Sequence, residues 1–129
     1  MKWSRVTIAV AFAFLVGLSW FGFKQYRHRM DCKQRDAASE QLLERIERDA
    51  RDQLKRGTKL AGVKRFFAEH NIPFHSANSY VSGGIRTPRC GPLGCDSAAA
   101  LIGVRVELDA DGTVNGEPTV TLALVTNCQ

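Results

Sequence analysis

The sequence predicts an α+β protein: an N-terminal transmembrane helix continuing into a helical stalk, then two helices packed on a three-stranded antiparallel sheet. Three observations predict this α-α-β-β-β order. Residues 6–23 form an uncharged apolar run. Residues 24–56 contain neither glycine nor proline and are rich in residues that favour helices. After Pro73, apolar and polar residues alternate, which indicates strands.

The apolar run of residues 6–23 fits a membrane span. A helix of its 18 residues rises about 27 Å, close to the ~30 Å hydrocarbon core of a bilayer. Trp3 and Trp20 lie near its two ends, where aromatic rings favour the headgroup level. A cleaved signal peptide is the alternative, but its apolar region is normally ~7–15 residues and precedes small residues. Because Trp20 and Phe21 make a poor cleavage site, we predict an uncleaved signal anchor.

Basic residues concentrate beside this span. Residues 1–35 carry seven Lys or Arg against Asp31 alone, whereas residues 36–129 carry eleven against twelve Asp or Glu. The net charge of +5 therefore lies where basic side chains meet anionic lipid headgroups. Nucleic-acid binding needs a basic face on the folded domain, so we expect no nucleic-acid partner. The basic residues that flank the membrane are Lys2, Arg5, Lys24, Arg27 and Arg29.

Two signals disagree about orientation. Two basic residues precede the span and five follow it closely, which favours a cytoplasmic C-terminal domain. All four cysteines also follow the span, in a small domain where disulfides are common after export. We give the cysteines more weight and predict a single-pass protein of the bacterial inner membrane with a periplasmic domain. The predicted regions are a tail (1–5), the signal-anchor helix (6–23), a basic juxtamembrane segment (24–36) and a small α+β domain (37–129).

The helices follow from apolar residues at helical spacing. In the first helix these are Leu43, Ile46, Ala50 and Leu54. Gly57 is expected to end that helix in a left-handed conformation, and Thr58 to cap the second helix. The second helix carries its apolar residues on one side and ends at Asn71 and Pro73. Those apolar residues are Leu60, Val63, Phe66 and Phe67.

Three strands are predicted after the helices, over residues 74–81, 100–108 and 119–126. The second is the clearest, because its apolar residues alternate with polar ones. Its inward residues are Ile102, Val104, Val106 and Leu108. A turn at 109–112 returns the chain into the third strand, whose inward residues are expected to be Val120, Leu122 and Leu124. The two helices are expected to cover the apolar face of this sheet.

The segment GTKLAGV, residues 57–63, followed by strands, resembles the glycine-then-valine helix pattern of the BamE/SmpA family of small outer-membrane-assembly lipoproteins. That family also places two helices on a three-stranded antiparallel sheet. The resemblance covers residues 40–127, although the chain lacks the family's lipid-bearing cysteine and Thr58 comes one position early. It implies a class only: small envelope modules that brace larger assemblies and catalyse nothing.

The sequence CGPLGC, residues 90–95, is interpreted as a disulfide staple. Its glycines and proline allow a short loop to bring Cys90 and Cys95 together. A Cys95–Cys128 bond is the alternative, since a hairpin would bring Cys128 near residues 94–98. Cys32 then pairs within the chain or between two chains, and the second case would make a homodimer. We expect no metal site and no cofactor, because the cysteine spacing suits neither a thioredoxin-type centre nor zinc.

Two classes of function remain. The first, which we favour, is a non-enzymatic interaction or accessory module of the bacterial envelope, bound to a protein partner through its sheet edge or long loop. The predicted loop, residues 82–96, exposes Ile85, Arg86, Arg89 and Leu93 as candidate partner contacts. The alternative is a thiol-redox, small-ligand or metal-binding protein that uses the Cys90–Cys95 loop.

Overall fold

The computed structural model describes residues 2–90 and 98–126. The chain forms two compact units, Met1–Gln34 and Arg35–Gln129. Its elements are α1 (Lys2–Gln53), α2 (Leu60–Glu69), β1 (Phe74–Ser76), β2 (Tyr80–Arg89), β3 (Ala98–Glu107) and β4 (Thr119–Thr126). The protein is α+β, with a long N-terminal apolar helix, one more helix and an antiparallel sheet, so the predicted fold class is confirmed. The predicted number of strands is wrong, because the described residues form a sheet of four strands.

The first unit consists of the N-terminal part of α1. Every side chain from residue 7 to residue 31 is exposed, including Phe12, Phe14 and Trp20. By its length and composition α1 can cross a membrane. Exposed apolar side chains around the whole helix would be unfavourable in water and favourable in lipid. The first unit is therefore compatible with membrane anchoring.

The sheet of the second unit is an antiparallel meander in the order β1-β2-β3-β4. The longest pairing joins β2 and β3, from Tyr80 opposite Glu107 to Arg89 opposite Ala98. β3 then pairs with β4, from Ala98 opposite Thr126 to Arg105 opposite Thr119. The predicted turn at 109–112 is present, and its closing hydrogen bond runs from the Gly112 N–H to the Asp109 carbonyl at 2.9 Å.

The core lies between the helices and the middle strands. α1 contributes Ile46 and Ala50, and Leu54 follows directly after its last residue; all three are fully buried, as the helical spacing predicts. The remaining core residues come from α2, the segment after it, β2, β3 and the turn: Val63, Phe66, Phe67, Ile72, Val81, Ile102, Val104, Val106, Leu108 and Val114. Burying these side chains is the main favourable contribution to folding, at about 1.5–3 kcal/mol for each large one.

The ends of the helices agree in part with the sequence. α1 ends at Gln53, earlier than predicted, and Gly57 occupies a turn after it with φ of 88°. Thr58 does not cap α2; its hydroxyl donates to the Lys55 carbonyl at 2.7 Å, so it stabilises the turn that follows α1. α2 ends at Glu69, shortly before Asn71 as predicted, and the φ of 53° at Asn71 lets the Ile72 N–H donate to the Phe67 carbonyl.

The strand predicted over 74–81 is two strands, and most of the loop predicted over 82–96 belongs to β2. A turn after Ser76 separates β1 from β2, where the Ala77 N–H donates to the Tyr80 carbonyl at 2.8 Å. Gly83 indicates a loop in the sequence but lies in β2. A glycine is needed at this strand position because the neighbouring residues leave no room for a side chain. A Cβ at Gly83 would contact the Pro73 carbonyl oxygen, the Phe67 ring and the Phe74 side chain.

Replacing Gly83 with alanine should therefore destabilise the domain by about 1–3 kcal/mol, because the Pro73 backbone cannot yield as a flexible side chain can. Gly103→Ala is the matched control, since a Cβ there would meet only the Thr121 hydroxyl, at 3.0 Å. Denaturation of the full-length chain in detergent measures both effects. Equal stability of the two variants would contradict the tight packing at Gly83.

Candidate interaction edge

β4 is the long unpaired edge of the sheet. It pairs with β3 on one side only, so its outward backbone N–H and C=O groups have no strand partner in the described part of the chain. Such an edge is a template for another strand. The strand reads TVTLALVT and contains no charged residue and no proline. It therefore lacks the two commonest residue types that prevent edge-to-edge pairing.

Two leucines add an apolar surface to this edge. Leu124 is 63% exposed and Leu122 is 37% exposed. They lie opposite Ala100 and Ile102, which are fully buried, so all four point to the helix-covered face of the sheet. Val120 packs partly against the core, and Leu122 and Leu124 point inward, as expected, but neither leucine is buried in the core. The core lies over β2 and β3 and does not extend over the end of β4.

The opposite edge of the sheet is protected. β1 is three residues long and pairs only with Val81, Ser82 and Gly83, so among the described residues no strand pairs with the rest of β2 on that side. Pro88 lies in this unpaired part, where its missing N–H removes no ladder hydrogen bond. Charged Arg86 and Arg89 flank it. Proline and charge are residues that discourage pairing, so this edge is a poor binding site for another strand.

An ion-pair cluster also fixes the end of the protected edge. Asp36 Oδ1 of α1 lies 3.6 Å from Arg89 Nε and accepts a hydrogen bond from the Cys90 N–H at 3.1 Å. Glu40 Oε1 lies 3.6 Å from Arg89 NH2. Buried Ser39 donates its hydroxyl to the Asp36 carbonyl, which closes the local turn of the helix. The cluster ties the last residues of β2 to α1.

The uncovered face of the sheet carries a separate polar group. Arg105 Nε donates to Glu107 Oε1 at 2.6 Å, and the guanidinium lies 4.2 Å from the centre of the Tyr80 ring. The hydrogen bond to Glu107 raises the pKa of Arg105. Arginine is charged at any ordinary pH, with or without this hydrogen bond. The face therefore carries a permanent positive charge on Arg105 that the neighbouring Glu107 carboxylate offsets.

The residues predicted to contact a partner lie on a strand rather than a loop. Ile85, Arg86 and Arg89 belong to β2, while Leu93 lies outside the described residues. Ile85 is half-buried and packs against the core, and Arg89 is engaged by Asp36 and Glu40. Arg86 is exposed. That these residues contact a partner stays a prediction, and the structure does not gather them on one loop.

The cysteines follow the prediction only in part. Cys32 and Cys90 are both disulfide-bonded. Cys95 and Cys128 lie outside the described residues, so the Cys90–Cys95 pairing and the Cys95–Cys128 alternative stay predictions. The Cys32 sulfur also lies 3.8 Å from His28 Nδ1, one turn earlier on α1.

The two histidines of the second unit, His70 and His75, have different surroundings. His70 Nε2 is 3.4 Å from Asp49 Oδ2, and its ring lies 4.6 Å from that of Phe66 at the end of α2. His75 lies exposed on β1. Among residues 2–90 and 98–126, no three His, Cys, Asp or Glu side chains group as metal ligands would.

The membrane-flanking basic residues belong to α1. The Arg27 guanidinium lies 5.3 Å from the centre of the Phe23 ring, so part of its side chain covers the end of the apolar run. Lys24 and Arg29 are exposed. The side chains of Lys2 and Arg5 lie outside the described residues.

Sequence reasoning missed two features that the geometry brings out. One is the Asp36–Arg89 contact, for which no local pattern exists because the partners belong to different elements. The other is the exposure of Leu122 and Leu124. No sequence signal marks the second, because β4, unlike β3 with Arg105 and Glu107, has no charge on either face to indicate the solvent side.

No protein-family model matches the chain, and no curated protein or solved structure matches it. The resemblance to the BamE/SmpA family therefore adds nothing to the interpretation of the edge, which depends on the residues of this chain.

The Asp36 cluster gives a test of how the protected edge is held. Asp36→Ala should lower the free energy of unfolding by about 1–2 kcal/mol, because it leaves the Cys90 N–H without its acceptor and the half-buried Arg89 with Glu40 alone. Glu40→Ala should cost at most ~0.5 kcal/mol, since that carboxylate is largely exposed. Denaturation of the full-length variants compares the two. A larger loss from Glu40→Ala would contradict the assignment of Asp36 as the principal partner.

Proposed function

We propose that this protein is a membrane-anchored interaction module of the bacterial cell envelope and that it acts by binding, without catalysis. The observation that carries the proposal is β4, a long, uncharged edge strand with Leu122 and Leu124 exposed beside it. The partner adds its own backbone to this edge as a further strand.

Strand addition suits what β4 presents. Its unpaired N–H and C=O groups supply main-chain hydrogen bonds, and pockets or apolar side chains at alternate positions supply specificity. Leu124 is the side chain with most to gain, because 63% of it is exposed in the unpaired chain. Covering apolar area is favourable by roughly 25 cal/mol per Å².

The anchor and the cysteines support the proposed location. The exposed apolar helix around residues 6–23 serves as the single span, with basic residues at both ends. The disulfide bonds of Cys32 and Cys90 favour an oxidising compartment. We therefore place the second unit in the periplasm and the span in the inner membrane, as an accessory to a larger envelope assembly.

A photocrosslinker at the edge tests the function. A benzophenone side chain replaces Thr121, an exposed β4 residue, in the full chain in native membranes. Irradiation should give a covalent adduct with a partner protein. The second substitution Leu124→Lys should abolish that adduct, because a lysine on an edge strand opposes pairing.

Ala68→Lys is the matched control for charge, since Ala68 is exposed and belongs to α2 rather than to the edge strand. It should leave the adduct unchanged. An adduct that survives Leu124→Lys at full yield, or no adduct at all from position 121, would contradict binding through β4.

A further inference from the structure

β4 has nearly the same sequence in both directions about Ala123. Leu122 and Leu124 flank it as identical neighbours. Thr121 and Val125 come next, and both are β-branched residues of similar shape, as are Val120 and Thr126 beyond them. If two copies of β4 pair antiparallel about a two-fold axis at Ala123, each residue from 120 to 126 therefore lies opposite an identical or similarly shaped residue.

From this symmetry we infer that the strand added to β4 is β4 of a second copy, antiparallel, with Ala123 opposite Ala123. The inference rests on the proposed function, because it names the partner of the same edge. Residues directly opposite each other in an antiparallel pair point to the same face. The register therefore places Leu122 of one copy opposite Leu124 of the other, on the face of the sheet that carries the helices in both copies.

Charge and burial both fit a second copy. Since β4 carries no charge, self-pairing brings no like charges together across the two-fold axis. Four leucines, two from each copy, meet around the axis, and they are 37% (Leu122) and 63% (Leu124) exposed in the unpaired chain. The pairing extends two four-stranded sheets into one of eight and covers both open edges at once.

The contact is small for a dimer in solution. Eight residues span about 27 Å at ~3.4 Å per residue. One pair of strands of that length buries much less than the ~800 Å² per partner of a standard interface. Anchoring both copies in one membrane makes up the difference, because confinement raises the effective concentration of each edge for the other. The dimer therefore depends on the membrane.

Cysteine crosslinking tests the register in the full chain. The variant Ala123→Cys is expressed in native membranes and treated with a mild oxidant. Directly opposed positions have Cα atoms about 4.5–5.5 Å apart, which suits a disulfide. The expected result is a shift of the chain to the mass of two copies, with the two introduced thiols joined in the non-reduced peptides.

Two further variants serve as controls for register. Position 121 lies opposite 125 in this pairing, so Thr121→Cys or Val125→Cys alone leaves the introduced thiols roughly 13 Å apart along the strand. Each alone should give no such bond, whereas membranes holding both variants together should give a bond between them. Ala123 and Thr121 are exposed and Val125 is half-buried, so the substitutions spare the core.

The crosslinking results distinguish a failure of this inference from a failure of the proposed function. An adduct of the position 121 photocrosslinker with a different protein, together with no bond between the introduced thiols of Ala123→Cys, overturns the second copy as partner and leaves edge binding intact. A bond between an introduced thiol and a native cysteine also overturns the proposed register. Absence of both the bond and any adduct overturns the inference and the proposed function together.

Discussion

The apolar face shared by β2 and β3 must be covered, and the rest of the second unit depends on how two helices cover it. Ile46, Ala50 and Leu54 reach it from α1 and the residue directly after it, while Phe66 and Phe67 reach it from α2. The two phenylalanines meet edge to face, with ring centres 5.7 Å apart, so they fill the space between helix and sheet with little freedom to shift. Gly83 is required beneath Phe67 for the same reason.

In this arrangement the two edges of the sheet differ in how well they are protected from pairing with another strand. On the β2 side, α1 supplies Asp36 and Glu40 to hold Arg89, and Pro88 removes a donor. On the β4 side no helix residue covers Leu124, which stays 63% exposed. A protein that merely avoided aggregation would protect its longer edge, by charge or by proline. The protection lies on the other edge, which is why we assign β4 to binding.

Local patterns predicted the elements that local chemistry controls. The helical spacing of Ile46, Ala50 and Leu54 and the left-handed conformation of Gly57 are both as predicted. The alternation in β3 also predicted its buried face. β2 was missed because Gly83, Gly84 and Pro88 are typical of a loop, and only tertiary crowding by Pro73 and Phe67 explains a glycine there.

The candidate site was harder to predict for a related reason. Alternation correctly placed Leu122 and Leu124 on the apolar face, but a face is buried only where something lies over it. The sequence contains no signal for where the helices stop covering the sheet. The Asp36–Arg89 ion pair is likewise a product of topology, since α1 and β2 meet only after the chain has folded. The exposed β4 edge and the Asp36–Arg89 ion pair could therefore be recognised only from the folded structure.

The central claim is that β4 is open in a single copy and pairs when two copies share a membrane. Amide hydrogen exchange tests it most directly, on the full chain in lipid nanodiscs that hold either one copy or two. In one-copy discs, alternate β4 amides should exchange rapidly, because those N–H groups point away from β3. In two-copy discs the same amides should become protected, while β3 stays protected in both. Equal protection of β4 in one-copy and two-copy discs would contradict the account.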